Sequence, residues 1–322
     1  MDARTVADVF SALAVRKAKG GIAGKQGIEN TTAEASATEA VENTKRGTHR
    51  LSVLTWNVWG HEESFRDRTA KLASVLSLLL PDLIMLQEVN PDLLAILDQT
   101  LFPRGFARVE GRDPGWLSES TIYYNTTLLF CFSFGVEPLP MEGEYFKDRG
   151  LFWARFQFRT ASGAEDKLGV FAATAHLPWV GSAEECNTGV NQRIACCEAI
   201  NVHLKRLVRP EDSFLVVGGD FNEDFHPVRV LSGSGPFSLV LRELFSSLDM
   251  PPPITHPVRP SHRDEEERPD RCIDWLLWKA NAPTFCRPLC AMAKSIKGGG
   301  FPPPSDHLPV IGVFDLSWPG PD

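Results

Sequence analysis

The sequence predicts one domain of the α/β or α+β class that begins at Leu51 and ends near residue 318. Short apolar runs typical of buried strands recur along this part of the chain, and segments with helical periodicity separate some of them. The proline-rich segments 251–269 and 298–307 fall between predicted strands, so they indicate loops and not domain linkers. One domain of about 270 residues is near the upper end of the usual size range.

The first half of the domain alternates strands with helices. "LSVLT" predicts a short strand, and "RDRTAKLASVLSLLL" has apolar residues at helical spacing from Leu72 to Leu79 before Pro81 ends the helix. "DLIMLQ" then predicts a buried strand. "PDLLAILDQTLF" predicts a helix with proline in its first turn.

The second half is richer in strands. Strands are predicted for "STIYYNTTLLF", "LFWARFQFR", "LGVFAATAH", "SFLVVGG", "CIDWLLW" and "LPVIGVFDL". Helices are predicted for "NQRIACCEAINVHLKRLV" and "FSLVLRELFSSL". The mixture of strands and intervening helices is what places the domain in the α/β or α+β class.

Residues 1–50 differ in composition from the rest of the chain. "TVADVFSALAVRKAKGG" predicts a short amphipathic helix, and the later "ENTTAEASATEAVENTK" has many Ala, Thr and Glu residues and no aromatic one. Such a segment cannot bury enough apolar surface to offset its ordering entropy, so residues 1–50 are predicted to form a disordered extension. A mitochondrial presequence is the minority interpretation, because the acidic Asp2 and Asp8 are unusual in such peptides.

Charge and cysteine content limit the classes of function. The 322-residue chain has a formal net charge of −8, whereas proteins that coat nucleic acid non-specifically are usually basic. An enzyme that meets nucleic acid at one site, or a carboxylate-rich metal site, is compatible with this balance.

The seven cysteines show no CxxC spacing, which indicates reduced thiols in a nuclear or cytoplasmic protein and not disulfides or zinc. No apolar run approaches the roughly 20 residues that span a bilayer, so no membrane span is predicted. The protein is expected to be a monomer.

Polar side chains of functional type stand at the ends of five apolar runs, although each alone is explicable as a strand cap or turn residue. They are Asn57, Glu88, His176, Asp220 with Asn222, and Asp306 with His307. Strand ends in a packed sheet meet at one edge, so these side chains are expected to converge there.

The segment "LVVGGDFNED" contains the densest group of these residues. Alternate residues of a strand face the same way, so Asp220 and Asn222 are expected to share one side. The two glycines before them allow backbone crowding at the strand end. Glu223 and Asp224 are expected to be solvated loop charges.

The chemistry of this set is that of hard oxygen ligands and imidazoles. Carboxylates such as Glu88, Asp220 and Asp306, together with the amide oxygen of Asn57 or Asn222, are what Mg²⁺ or Mn²⁺ selects. Histidines beside such a site suit phosphate, since they can bind its oxygens, stabilise charge or transfer a proton.

Six motifs in order, "TWNVWG", "LQEV", "AHLPW", "GGDFN", "RCIDW" and "PSDHLPV", resemble those of the endonuclease/exonuclease/phosphatase superfamily of metal-dependent phosphodiesterases. The resemblance covers residues 51–316. It implies a DNase I-like fold, a four-layer αββα sandwich in which two mixed β-sheets pack together and the active site lies at one end. It also implies metal-assisted hydrolysis of a phosphoester with Mg²⁺, which Mn²⁺ can replace.

The resemblance implies roles for individual residues at the metal. Glu88 matches the principal metal ligand of the superfamily, and Asn57 matches its usual neighbour. Asp306 matches a second acidic residue near the metal. Whether one or two metal ions are used stays open.

The resemblance also implies the residues that act on water and phosphate. Asp220 and Asn222 match the pair that positions the attacking water and the phosphate, and His176 matches a phosphate-side histidine. His307 matches the histidine that contacts the scissile phosphate, and Asp274 matches the acid that orients it. Either Asp220 or His307 can be the base that accepts the proton of water.

The choice of substrate rests on fewer residues. "NVW", "LQEVNPDLL" and "FPPPSDH" are most similar to the tyrosyl-DNA phosphodiesterase 2 branch, which removes protein adducts from DNA 5′ ends and so acts in DNA repair. Trp59 stands where that branch commonly has an acidic residue, and "HLPW" is closer to deadenylase or inositol-phosphatase patterns. A poly(A) deadenylase, an inositol-polyphosphate phosphatase, a sphingomyelinase and a non-catalytic binding module are the alternatives.

Three further residues are candidates for substrate contact. Arg193, on a predicted helix, is placed to meet the substrate phosphate, although a solvated helix position is an equal alternative. Trp59 and Trp179 lie in or beside predicted loops, where an aromatic ring can stack on a base or pack against the core.

Overall fold

A computed structural model describes residues 46–61, 65–159, 165–236, 238–257, 271–293 and 303–319 of the chain. Residues 1–45, with the predicted amphipathic helix and the Ala/Thr/Glu-rich segment, lie outside the described residues. The first strand begins at Arg46, so regular structure starts before the predicted boundary at Leu51. Among the described residues, no helix is long and apolar enough to cross a membrane.

Twelve strands and six α-helices make up the described part of the chain. The strands are β1 (Arg46–Asn57), β2 (Leu83–Gln87), β3 (Phe106–Arg108), β4 (Ser120–Asn125), β5 (Leu129–Pro138), β6 (Gly150–Arg159), β7 (Glu165–His176), β8 (Phe214–Asp220), β9 (Arg242–Glu243), β10 (Asp274–Ala280), β11 (Phe285–Ala293) and β12 (Val310–Pro319). The helices are α1 (Phe65–Leu79), α2 (Pro91–Leu101), α3 (Gly115–Ser118), α4 (Ala183–Thr188), α5 (Gln192–Leu207) and α6 (His226–Ser232).

The strands form two six-stranded mixed sheets. Sheet A has the order β11-β12-β1-β2-β4-β3, and sheet B has the order β5-β6-β7-β8-β10-β9. Each sheet contains one parallel pair, β1 with β2 and β7 with β8, and all other neighbours are antiparallel. A parallel pair needs a crossover connection, and helices α1 and α5 lie in the two connections.

Side-chain alternation along the strands creates three apolar layers. In β1, Leu51 and Val53 point into the core between the sheets, whereas Leu54 and Trp56 point to the outer face of sheet A. In β8, the inward residues include Val216, and the outward ones pack on helix α5. The central strands are therefore buried on both faces.

Helices cover the outer face of each sheet. The apolar sides of α1 and α2 pack on sheet A, and α5 and α6 pack on sheet B. The order helix, sheet, sheet, helix confirms the predicted four-layer αββα sandwich and its DNase I-like architecture.

The predicted helix "FSLVLRELFSSL" is wrong over its described residues 238–248. They form an irregular segment, the short edge strand β9 and a 3₁₀ turn at Ser246–Leu248. Leu241 packs outside sheet B, while Leu244 packs between the sheets, so the apolar residues anchor opposite faces of the sheet. The Glu243 carboxylate accepts the backbone N–H groups of residues 245 and 246, which turns the chain.

The predicted strand "STIYYNTTLLF" is two strands that belong to different sheets. Strand β4 lies in sheet A and β5 in sheet B, and the turn between them is held by the Asn125 side chain, which accepts from Thr127. Strand β11 was not predicted because its sequence contains Pro288, which is tolerated at a sheet edge beside a bulge.

Candidate active site

The two parallel strand pairs deliver their carboxyl ends to the same rim of the sandwich. Asn57 ends β1 and Glu88 follows β2, whereas His176 ends β7 beside Asp220 of β8. Asp274 begins the antiparallel strand β10 directly opposite Asp220. Eight of the predicted residues line one cavity of about 1120 Å³: Trp59, Glu88, His176, Trp179, Asp220, Asn222, Asp306 and His307.

Three residues of this rim hold left-handed backbone conformations that are uncommon for residues other than glycine. They are Trp59, Glu88 and Asn222, with φ angles of 52°, 55° and 55°. Each turn is fixed by hydrogen bonds, such as the one from the Gly60 N–H to the carbonyl of Glu88. Strain of this kind is found where the surrounding structure holds functional side chains in place.

A carboxylate pair bridged by one amide forms the centre of the site. The Asn57 Nδ2 group donates to Glu88 Oε1 at 2.8 Å and to Asp220 Oδ2 at 2.9 Å, and the Trp59 N–H donates to Asn57 Oδ1 at 2.9 Å. One ligand atom from each of Glu88, Asp220 and His176 lies within 4.8 Å of the others. A buried carboxylate and a partly buried one beside an imidazole are a donor set that fits a divalent metal ion.

Asp306 lies at the same cavity but belongs to a different group of side chains. Its Oδ2 is 3.4 Å from His256 Nε2, and the two histidine rings of His256 and His307 have centroids 4.7 Å apart. Among the described residues, Asp306 does not join the group of Glu88 within metal-binding distance. The structure thus brings Asn57 and Glu88 together and places Asp306 beside the histidines.

His307 contacts a buried carboxylate through its Nδ1 atom. Its Nδ1 lies 2.8 Å from Asp274 Oδ2, and its Nε2 lies 3.6 Å from Asp220 Oδ2. Burial opposes the charged ring, but Asp274 and Asp220 outweigh it and raise the pKa of His307 well above its usual value. The Thr255 hydroxyl accepts the N–H of Asp274 and so fixes the start of β10.

His176 has the opposite electrostatic environment. Its complete burial, with the neighbouring Arg149 guanidinium, lowers the pKa of its imidazole to about 3, although Asp220 and Glu88 act in the other direction. Its Nε2 lies 3.6 Å from Asp220 Oδ2, and its Nδ1 lies 3.4 Å from Glu119 Oε2. A neutral imidazole at this position offers a lone pair or a hydrogen-bond donor without added charge.

Asp220 and Asn222 both line the cavity. The sequence predicted this from the alternation of side chains along a strand, but the strand ends at Asp220 and a turn brings Asn222 to the cavity. Strand β8 ends at Asp220, whose Oδ1 accepts the N–H of Asn222, and Asn222 Nδ2 donates to the carbonyl of Leu177. Gly219 is required before this turn, because a Cβ there would lie 1.9 Å from the Ala175 carbonyl oxygen. The close packing around the backbone that the sequence predicts at Gly218 and Gly219 is present.

Arg193 does not line the cavity. Its guanidinium is buried and lies 2.7 Å from both Glu185 and Glu223, and it also donates to the carbonyl of Pro178. Glu223 is correspondingly buried and contacts His226 as well, so it is not the solvated loop charge that was expected. This cluster holds the loop after β7 against helix α5.

Several residues of the cavity were not predicted from the sequence. Glu119 and Arg149, paired at 3.2 Å, immediately precede β4 and β6. Strand β4 is antiparallel to β2 and β6 is antiparallel to β7, so both begin at the rim where β2 and β7 end. A charged residue directly before such a strand therefore indicates the site as well as one directly after a parallel strand does.

The two packed mixed sheets and the carboxylates at their common rim agree with the DNase I-like class of fold. More narrowly, the chain belongs to the endonuclease/exonuclease/phosphatase family, whose model matches residues 54–307.

Known relatives agree with this assignment. Tyrosyl-DNA phosphodiesterase 2 of Danio rerio is 27% identical over 200 residues, which are 60% of this chain and 46% of that protein, so the chain matches about half of the relative's length. The crystal structure of the Danio rerio enzyme with a single-strand DNA product has a TM-score of 0.62 at 19% identity and covers 82% of this chain and 98% of the other. The human Nocturnin catalytic domain has a TM-score of 0.59 at 16% identity, covering 85% and 99%. At these identities the two structures show a shared fold.

Proposed function

We propose that the protein is a Mg²⁺-dependent phosphodiesterase that acts at nucleic acid ends, similar to a 5′-tyrosyl-DNA phosphodiesterase in DNA repair. The observation that carries the proposal is the Glu88–Asn57–Asp220 arrangement beside the His307–Asp274 pair. The carboxylates provide ligands for a hard cation, and an oriented imidazole lies beside them. In-line hydrolysis of a phosphoester uses both a cation and an imidazole.

Glu88 and Asp220 would hold the divalent cation, with Asn57 fixing the separation of the two carboxylates. The bound cation supplies neutralisation of the negative charge that develops on the phosphate oxygens. His176, at the same group, completes the ligand set or contacts a phosphate oxygen.

The remaining residues act on water and phosphate. Asp220 and His307, whose Oδ2 and Nε2 atoms are 3.6 Å apart, are placed to hold the attacking water and to manage its proton. Asn222, fixed by its bond to Leu177, directs its amide at the phosphate. Asp274 keeps His307 in one tautomer and supports its positive charge.

A substrate with one phosphodiester fits the charge of the cavity better than a polyphosphate does. Among the described lining residues the only Lys or Arg side chains are Arg149 and Arg271, and Arg149 is already paired with Glu119. An inositol polyphosphate needs several basic contacts to balance its charge. The similarity to a tyrosyl-DNA phosphodiesterase supports a nucleic acid substrate.

A panel of four substrates with Mg²⁺ tests the proposal: a 5′-tyrosyl oligodeoxynucleotide, poly(A), an inositol polyphosphate and sphingomyelin. We expect turnover of the tyrosyl oligonucleotide to exceed that of the others. Preference for poly(A) would identify a deadenylase instead. No turnover of any of the four by correctly folded protein would favour a binding module.

A further inference from the structure

Two aromatic side chains at the mouth of the catalytic cavity have no role in the chemistry described above. Tyr145 is 80% exposed and Trp179 is 40% exposed, and both line the cavity. Their ring centroids are 6.2 Å apart with an interplanar angle of 66°. We call these two residues the aromatic pair. Large apolar surfaces left open at a binding site are typical of ligand contacts.

Trp179, the inner member of the aromatic pair, is held from below by Phe146 and Arg149. The ring of the buried Phe146 lies 4.9 Å from that of Trp179, and the Arg149 guanidinium lies 5.9 Å from the same ring. Arg149 is fixed in turn by its bond to the carbonyl of Leu177. Arg193 donates to the carbonyl of Pro178, which directly precedes Trp179. A rigid aromatic surface loses little entropy when a ligand stacks on it.

Open space lies beside the pair on the side of the cavity. Gly181, which also lines the cavity, has no heavy atom within 4 Å of the place where a Cβ would stand. The neighbouring Val180 is 49% exposed. A flat group of the substrate can therefore reach Trp179 without displacing other side chains.

The charge of the protein gives a physical reason for such a contact. The chain has a net charge of −8, so a nucleic acid gains little from phosphate neutralisation over a broad surface. Affinity must then come from contacts close to the scissile phosphate, and stacking of a base on an aromatic ring is a strong contact that does not depend on sequence.

We propose that the aromatic pair is a stacking subsite for the unpaired nucleobase of the nucleotide that carries the scissile phosphate. This inference rests on the proposed function. It makes Tyr145 and Trp179 specificity-determining residues, which favour a single-stranded end over a terminal base that is already paired and stacked in a duplex.

The test compares oligonucleotides that share a 5′-(4-nitrophenyl) phosphate ester and differ only in whether the 5′ nucleotide has a base or is abasic. Release of 4-nitrophenol gives kcat/KM. We expect the wild-type protein to prefer the substrate with a base by roughly tenfold. Tyr145→Ala and Trp179→Ala should reduce this ratio to below about threefold, and Tyr145→Phe should keep it. Phe285→Ala removes an aromatic ring whose exposure, 62%, lies between those of Tyr145 and Trp179 and which does not line the cavity, so it should leave the ratio unchanged.

A third substrate, with the base present but an alkyl leaving group, separates the base from the leaving aryl ring. If Tyr145→Ala changes the preference for the aryl leaving group and not the preference for the base, the inference is overturned. Equal wild-type turnover of the base-containing and abasic substrates overturns the inference and leaves the proposed function intact. Failure to hydrolyse any of these phosphodiesters overturns both.

Discussion

Glu88 and His307 are the side chains on which the proposed chemistry depends most directly. Glu88 shares the amide of Asn57 with Asp220, and His307 is oriented by Asp274. Both roles depend on one or two atoms, so conservative substitutions should remove activity without disturbing the core.

We predict that Glu88→Gln and His307→Gln each lower kcat by on the order of 10³-fold or more, and that the melting temperature of Glu88→Gln changes little. The first removes the negative charge of a cation ligand, and the second removes an imidazole at the phosphate. Glu211→Gln is a matched control, because Glu211 lies just before the opposite end of β8 and is exposed. Turnover retained in either site variant would contradict the assignment.

Asp274 acts on the reaction through His307. We expect Asp274→Asn to lower kcat by on the order of 10²-fold or more with a smaller effect on KM, because the imidazole loses its charged partner and its fixed tautomer. Steady-state kinetics measure this split, and ¹⁵N NMR of the histidine ring reports the tautomer. An unchanged tautomer with full activity would show that Asp274 has only a structural role.

At the scale of elements, the closeness of β7 and β8 determines where His176 and Asp220 lie. Gly219 has a φ of 155°, and a Cβ at this position would meet the backbone of Ala175. We predict that Gly219→Ala destabilises the protein by about 2 kcal/mol or more and separates the two strand ends.

Chemical denaturation measures this loss, and the rate of turnover reports the displacement of the site. Gly235→Ala is the control, since Gly235 has open space around its Cβ position. Equal stability of the two variants would mean that the strands can separate at no cost.

The loop after β7 is attached to helix α5 through Arg193. Removing this buried cation in Arg193→Ala leaves Glu185 and Glu223 without their partner, so we predict a loss of about 3 kcal/mol in the free energy of unfolding. A variant that lost only substrate affinity, with unchanged stability, would instead support the phosphate contact expected from the sequence.

The contribution of the Arg193 ion pairs to the free energy of unfolding should depend on pH. Hydrogen bonds from Arg193 lower the pKa of Glu185, and bonds from Asn191, Arg193 and His226 outweigh burial to lower the pKa of Glu223. A lowered carboxyl pKa stabilises the fold above the ordinary value of 4.5 and loses this effect as the pH falls through the lowered pKa. The difference in stability between the wild type and Arg193→Ala should therefore shrink in acid.

At the scale of the whole molecule, the sequence was sufficient to predict that polar strand ends converge at one rim, but not the course of the chain between the sheets. Asn57, Glu88, His176 and Asp220 were predictable because they follow apolar strands whose carboxyl ends lie at one rim. The passage from sheet A to sheet B at the turn near Asn125 could not be predicted, because the spacing of apolar residues does not specify which sheet a strand joins.

Residues whose role depends on contacts distant in sequence could not be predicted. Arg193 meets carboxylates from helix α4 and from the loop after β8, and its burial follows from that arrangement and not from its own helix. Tyr145 lies in a short 3₁₀ turn with no periodic pattern, so only the folded chain places it beside Trp179. Local sequence patterns report strand ends well and loop convergence poorly.

The account as a whole is tested most directly by the initial rate of cleavage of a 5′-tyrosyl single-stranded oligonucleotide as Mg²⁺ is added to protein dialysed against EDTA. We predict no turnover without the cation, saturable restoration by Mg²⁺ in the wild type, and no restoration in Glu88→Gln at the same concentrations. Turnover that is equal with and without a divalent cation, or equal in Glu88→Gln and the wild type, would contradict the account.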